Sequence, residues 1–202
     1  MKKQSLSTLL LLISCVILFH SCKEKEKEEE NESEVITTVR LTFTKTDMGG
    51  TPLVGSVPIV ATWKDADGIG AAVPTVNEIT LRTNSYYQVE AVILNELANP
   101  AQDITPEIRN EGTKHQFFFP KTGNGLNPIT YNDLDTAGKP IGLKFKVATT
   151  ATVGDNTLKV ILRHELNKSG ANVDLGDITN AGGDTDIETT PAFSIKVALP
   201  AQ

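Results

Sequence analysis

The chain has 202 residues, with 25 aspartates and glutamates against 19 lysines and arginines, a formal charge of −6. Outside one charged run near the N-terminus there is no lysine- or arginine-rich stripe to displace phosphate counterions, which excludes nucleic acid as a partner. Both cysteines, Cys15 and Cys22, fall near the N-terminus, so the folded part has no disulfide, thiolate metal site or cysteine nucleophile.

In chain order, Lys2 and Lys3 precede an apolar run from Leu9 to Phe19, too short for a permanent membrane span and of signal-peptide length. Ser21-Cys22 follows, and then a charged stretch from Lys23 to Glu34 that cannot fold alone. This boundary predicts a lipoprotein signal peptide over 1–21, lipid attachment at Cys22, and a disordered tether over 22–34. Leu12-Ile13-Ser14-Cys15 is a competing cleavage motif, but cutting there leaves Val16 to Phe19 exposed, whereas cutting at Cys22 removes the whole apolar run. The acidic-and-lysine run after Cys22 resembles the export signal of lipoproteins displayed on the outer face of the outer membrane; an ordinary periplasmic linker is the alternative. Loss of residues 1–21 leaves 17 basic against 25 acidic residues, about −8, so the folded part has no attraction to an anionic membrane surface and its membrane contact is the lipid.

Residues 35–202 carry period-two patterning in short runs: Val39, Leu41 and Phe43; Val57, Ile59 and Ala61; Tyr87, Val89, Ala91 and Ile93. Similar runs follow at Gln116–Phe119, Ile129–Tyr131, Leu143–Val147, Leu158–Leu162 and Phe193–Leu199, separated by Gly-, Asn- and Pro-rich turns. Alternation of this kind makes half-buried strands, and eight to ten of them predict an all-β fold, a β-sandwich of immunoglobulin-like or jelly-roll-like type. One short helix is expected, with Thr105 as N-cap, Pro106 at the first helical position, Glu107 in the first turn and a stop at Gly112.

The chain also matches itself about 68 residues apart: Thr62-Trp63-Lys64-Asp65-Ala66-Asp67 with Thr130-Tyr131-Asn132-Asp133-Leu134-Asp135, and Gly70 with Gly138. Two related units, about 35–115 and 116–202, account for this, and convergence of similar hairpins is the alternative. The paired aspartates open like calcium loops, but the fifth and twelfth positions are Ile69 and Val76 from Asp65, and Ala137 and Lys144 from Asp133, so turn formation is the simpler reading. Asp174, Asp177, Asp184, Asp186 and Glu188 around Gly182-Gly183 form a richer acidic stretch, a candidate ligand loop for calcium.

Two histidines follow residue 34. His115 begins the strand His115-Gln116-Phe117-Phe118-Phe119, and His164 ends the strand before Glu165. If the halves pack together, His115, His164 and Glu165 make a site for zinc or copper, both of which accept imidazole and carboxylate; Glu96 is an alternative carboxylate. There is no HExxH, G-x-S-x-G elbow, P-loop or dinucleotide-binding glycine pattern, and aromatics make up only 5% of the chain, with Trp63 the single Trp. The expectation is a non-catalytic protein.

The runs Asn95-Glu96-Leu97, Asp103-Ile104-Thr105, Glu111-Gly112 with His115-Gln116-Phe117-Phe118, Tyr131-Asn132-Asp133-Leu134-Asp135, Leu162-Arg163-His164-Glu165 and Gly176-Asp177-Ile178-Thr179-Asn180-Ala181-Gly182-Gly183 together resemble a group of small bacterial lipoproteins of unknown function. Members of that group are often labelled "type 1 periplasmic binding fold superfamily protein". That label implies doubly wound α/β lobes with many crossover helices, which a chain this short with one expected helix cannot supply. What the resemblance implies is a cell-envelope address and ligand capture. The functional expectation is an outer-membrane or surface-exposed lipoprotein that binds a ligand or metal as an accessory of an uptake system, beside a TonB-dependent receptor. The alternative is an adhesion or envelope-scaffold module for a protein or glycan.

Overall fold

A computed structural model describes residues 35–68 and 70–200, so the signal peptide, the lipid site at Cys22 and the tether lie outside the described residues. The alternating runs become strands because β-branched and aromatic side chains at every second position fill one face of a pleated ribbon. The largest sheet carries β1 (Thr38–Thr46), β2 (Ile59–Lys64), β3 (Thr75–Val76), β5 (Tyr86–Asn95), β6 (Gln102–Asp103), β9 (Thr130–Tyr131) and β10 (Lys144–Ala148), in the order β3-β2-β1-β5-β10-β9 with β6 beside β5. A second sheet has the order β4 (Ile79–Arg82), β14 (Phe193–Ala198), β11 (Gly154–Leu158), β8 (Lys121–Thr122). A third consists of β13 (Asp184–Glu188), β12 (Ile161–His164) and β7 (His115–Phe118).

The inward positions of all three sheets meet in one core. Val39, Leu41, Phe43, Val89 and Ile93 from the large sheet, Leu81, Leu158, Phe193 and Ile195 from the second, and Phe117 and Leu162 from the third are all fully buried there. Phe119 stacks at 4.1 Å on Phe145, so the third sheet is pinned to the large one through aromatic rings. The third sheet is covered on its other face too, where Phe118, Ile161, Leu166, Val173 and Ala181 form a second cluster. The fold is thus all-β with one short helix, as the alternation predicts.

Three expectations change in detail. The run Leu158–Leu162 is two strands in two different sheets, because Lys159 N donates to Pro120 O at 2.8 Å and Val160 N to Thr189 Oγ1 at 2.9 Å instead of continuing a ladder. The stretch around Asp184 is a strand, not a loop. The helix α1 spans Thr105–Asn110 with Pro106 in its first turn, but Ile104 holds the cap position; Thr105 N donates to Asp103 Oδ1 at 2.9 Å, and Thr105 Oγ1 accepts from Ile93 N at 2.8 Å. Strands from the two matching stretches interleave: β10 pairs with β5, and β14 pairs in parallel with β4.

Candidate functional site

The site is built at the end of the third sheet. Antiparallel pairing of β7 with β12 places His115 opposite His164 and Phe117 opposite Leu162. Side chains two apart share a face, so both imidazoles lie on the face that carries Phe117 and Leu162 into the main core, while Gln116 and Phe118 turn the other way. The rings stack at 4.3 Å between centroids with a 30° tilt, and His115 is 0% and His164 4% exposed.

The neighbouring strand brings a carboxylate. Between β12 and β13 the register shifts: Ile187 pairs with Leu162 and Thr185 with Arg163, leaving Asp186 as the extra residue of a β-bulge. A bulge re-aims a side chain. Here the Asp186 side chain is 2% exposed, with Oδ2 3.5 Å from His115 Nε2 and Oδ1 3.8 Å from His164 Nδ1. A second carboxylate comes from the turn after α1, where Glu111, His115 and His164 each offer a ligand atom within 4.8 Å of the others.

The same turn sets the proton on His115. Its Nδ1 stands 3.2 Å from the Glu111 carbonyl oxygen, which can only accept, so Nδ1 carries hydrogen and the neutral ring keeps its lone pair on Nε2. A backbone carbonyl that accepts from one ring nitrogen fixes metal-binding histidines in the same way, leaving the other nitrogen free for the ion. The Nε2 atoms of both histidines are buried without a hydrogen-bond partner. A buried polar atom left so costs about 1–3 kcal/mol, and such an atom calls for an explanation.

Distances distinguish the explanations. At 3.5 and 3.8 Å the two imidazole-to-carboxylate separations exceed hydrogen-bonding range. Two ligand atoms about 2.0–2.1 Å from one tetrahedral ion stand about 3.3–3.4 Å apart, so small inward shifts of Asp186 and the rings create coordination edges. Imidazole and carboxylate suit zinc and copper; calcium prefers an all-oxygen shell.

The turn that carries Glu111 and His115 is itself held by a buried amine. Lys168 Nζ donates to Gly112 O at 2.6 Å, to His115 O at 2.9 Å and to Asp135 Oδ2 at 2.7 Å. Burial pushes the Asp135 carboxyl up, but the Lys168 amine and the N–H groups of Lys139 and Ala137 outweigh it and hold Asp135 below the usual carboxylate value. Burial also lowers Lys168, against the pull of Asp135. Asp133 accepts from Gly142 N at 2.8 Å and Lys144 N at 3.0 Å, and burial raises its carboxyl despite those bonds. Tyr131, which donates to Phe117 O at 2.6 Å, is pushed up to about 12 by burial. The Asp133 and Asp135 pair therefore organises a turn, as expected, and Asp67 does the same by accepting from Ala72 N at 3.0 Å.

Of the sequence-predicted residues, His115 and His164 meet and Asp186 joins them. Glu165 stands beside them too: its carboxylate lies 3.7 Å from His164 Nε2, is 52% exposed and also pairs with Lys114 at 3.4 Å. Glu96 pairs with Lys64 on the large sheet. The acidic ligand loop disperses. Asp174 is exposed and 3.8 Å from Lys139 Nζ. Asp177 caps the 3₁₀ turn Ile178–Asn180, and hydrogen bonds from the Thr179 hydroxyl and N–H lower its carboxyl. Asp184 sits exposed on β13.

Sequence reasoning missed Glu111 and the strand that presents Asp186. The alternation of Thr185, Ile187 and Thr189 marked that strand, and the four-residue spacing of Glu111 and His115 marked the turn. Lys168, in a Lys-Ser-Gly segment that reads as a surface turn, gave no signal. No helix among the described residues is long and apolar enough to cross a membrane. No family model, no curated protein and no solved structure matches this chain.

Proposed function

We propose that this chain is a cell-envelope lipoprotein, acylated at Cys22, whose folded part binds one transition-metal ion, zinc or copper, without catalysing a reaction. The observation that carries the reading is the in-register pairing of two buried imidazoles whose Nε2 atoms have no hydrogen-bond partner, with carboxylates against them. The envelope address rests on the signal-like N-terminus and the tether that follows it. A metal-capture protein at that place fits an accessory of an uptake system, with a TonB-dependent receptor as the proposed neighbour.

Melts of the purified full chain test the reading. With chelator removed, zinc or copper(II) should raise the melting temperature and calcium should not, since an ion that binds only the folded state stabilises it. His164→Gln, which keeps the side-chain volume, should abolish the rise. Unchanged melts with every ion would overturn metal binding and leave the second reading, an adhesion or scaffold module. That reading is favoured by the exposed apolar residues Met48, Leu53, Val54 and Val57 in the β1–β2 connection.

A further inference from the structure

We infer that Asp186 is the carboxylate ligand of this site, so that the bound ion clamps all three strands of the third sheet and fixes the edge strand β13. The inference rests on the metal reading and goes beyond it, because it selects one carboxylate among Glu111, Glu165 and Asp186 and assigns the ion a structural consequence.

The selection follows from burial and aim: Glu111 comes within 4.8 Å of the histidine ligand atoms but is only half-buried on the turn after α1, whereas the Asp186 side chain is 2% exposed. Glu165 is half exposed and engaged by Lys114, so bringing it to the histidines breaks an ion pair. Asp186 is already inside, with Oδ2 toward His115 Nε2 and Oδ1 toward His164 Nδ1, while Glu165 stands against His164 Nε2; an ion shared with Asp186 therefore meets His164 at Nδ1. With regular pairing, Asp186 would sit one step along the pleat and its side chain would leave this face.

The consequence follows from the topology. β7, β12 and β13 each contribute one of the three residues, and β13 is an edge strand hydrogen-bonded to β12 alone. Its C-terminal end is pinned, with Thr189 N donating to Val160 O at 2.9 Å and Val160 N to Thr189 Oγ1 at 2.9 Å. Its N-terminal end enters from Gly182 and Gly183, both at positive φ, 61° and 69°. A Cβ on Gly183 would lie 2.2 Å from His164 O, so glycine here lets the chain pass against the histidine strand. The histidine end of β13 is held by the His164–Asp184 pair, by Arg163 Nη1 donating to Gly183 O at 3.1 Å and by Asn167 N donating to Ala181 O at 2.7 Å, all on the β12 side; an ion held by His115, His164 and Asp186 adds a tie that reaches across to β7.

The test uses the full chain, zinc alone as the probe, and competition against a chromophoric chelator, with amide hydrogen exchange over Asp184–Glu188. Asp186→Asn, which keeps shape and removes charge, should weaken zinc at least about tenfold, whereas Glu165→Gln should change it less than about twofold. Zinc should slow exchange in Asp184–Glu188 of the unaltered protein and leave it unchanged in Asp186→Asn. The exchange measurement on the unaltered protein needs no variant, so a poorly folding Asp186→Asn does not spare the inference. If Asp186→Asn binds zinc like the unaltered chain, or if zinc binds without protecting β13, the inference is wrong while the metal reading stands. If Glu111→Gln alone abolishes binding, Glu111 is the carboxylate and the inference is likewise overturned. If the unaltered chain binds no zinc, the metal reading fails and this inference with it.

Discussion

Replacing Lys168 by Met is the most informative perturbation of the scaffold, because it keeps the aliphatic stem and deletes only the amine. All three Nζ hydrogens have acceptors: Gly112 O, His115 O and Asp135 Oδ2. The amine and the Asp135 carboxylate are nearly buried, with side chains 6% and 1% exposed. Removing one member of a buried ion pair leaves the other charge uncompensated and costs about 3–5 kcal/mol. Against a total stability of about 5–15 kcal/mol this is a large fraction. For a domain of this size, about 2–4 °C of melting temperature per kcal/mol gives a fall of roughly 6–20 °C. Urea unfolding followed by far-UV circular dichroism, with chelator present, measures it. The double variant Lys168→Met with Asp135→Asn should recover part of the loss, since it removes the stranded charge. A loss under about 1 kcal/mol, the range of surface pairs, would refute the claim that this amine holds the Gly112–His115 turn from within the protein.

Two pH dependences follow. Asp135 is held below its unfolded value of 3.8, so its contribution is present above that value and is lost as pH falls through the lower folded value; Lys168→Met should flatten the acid limb of the stability curve. Tyr131 is raised to about 12 in the folded state, so its contribution is full below pH 10 and is lost as pH rises toward 12. Tyr131→Phe removes that alkaline limb and, by stranding Phe117 O and a donor of Gln116, should cost about 1–3 kcal/mol at pH 7, read by urea unfolding.

The strands that read clearly in the sequence are those whose alternation reports burial directly. Val39, Leu41 and Phe43 are all fully buried, and Tyr87, Val89, Ala91 and Ile93 line the same core. What alternation cannot report is which partner a backbone group takes at long range. The break at Lys159 and Val160 depends on Pro120 and Thr189, and the parallel pairing of β4 with β14 joins residues more than a hundred positions apart. Thr105 looked like a helix cap because a hydroxyl before Pro-Glu usually serves there; its oxygen is instead taken by Ile93, on a strand the helix packs against. At the site, the two histidines were legible as a pair because each begins or ends a strand. The bulge was not, since a register shift is a property of two strands together, and acidic composition disguised β13 as a loop.

The most direct measurement is X-ray absorption at the metal edge of the full chain loaded with one equivalent of zinc. The account predicts a first shell of two imidazole nitrogens and carboxylate oxygen at about 2.0–2.1 Å, with the outer-shell scattering of histidine rings lost in His164→Gln. An all-oxygen shell, or an unbound aqua ion at one equivalent, would contradict it.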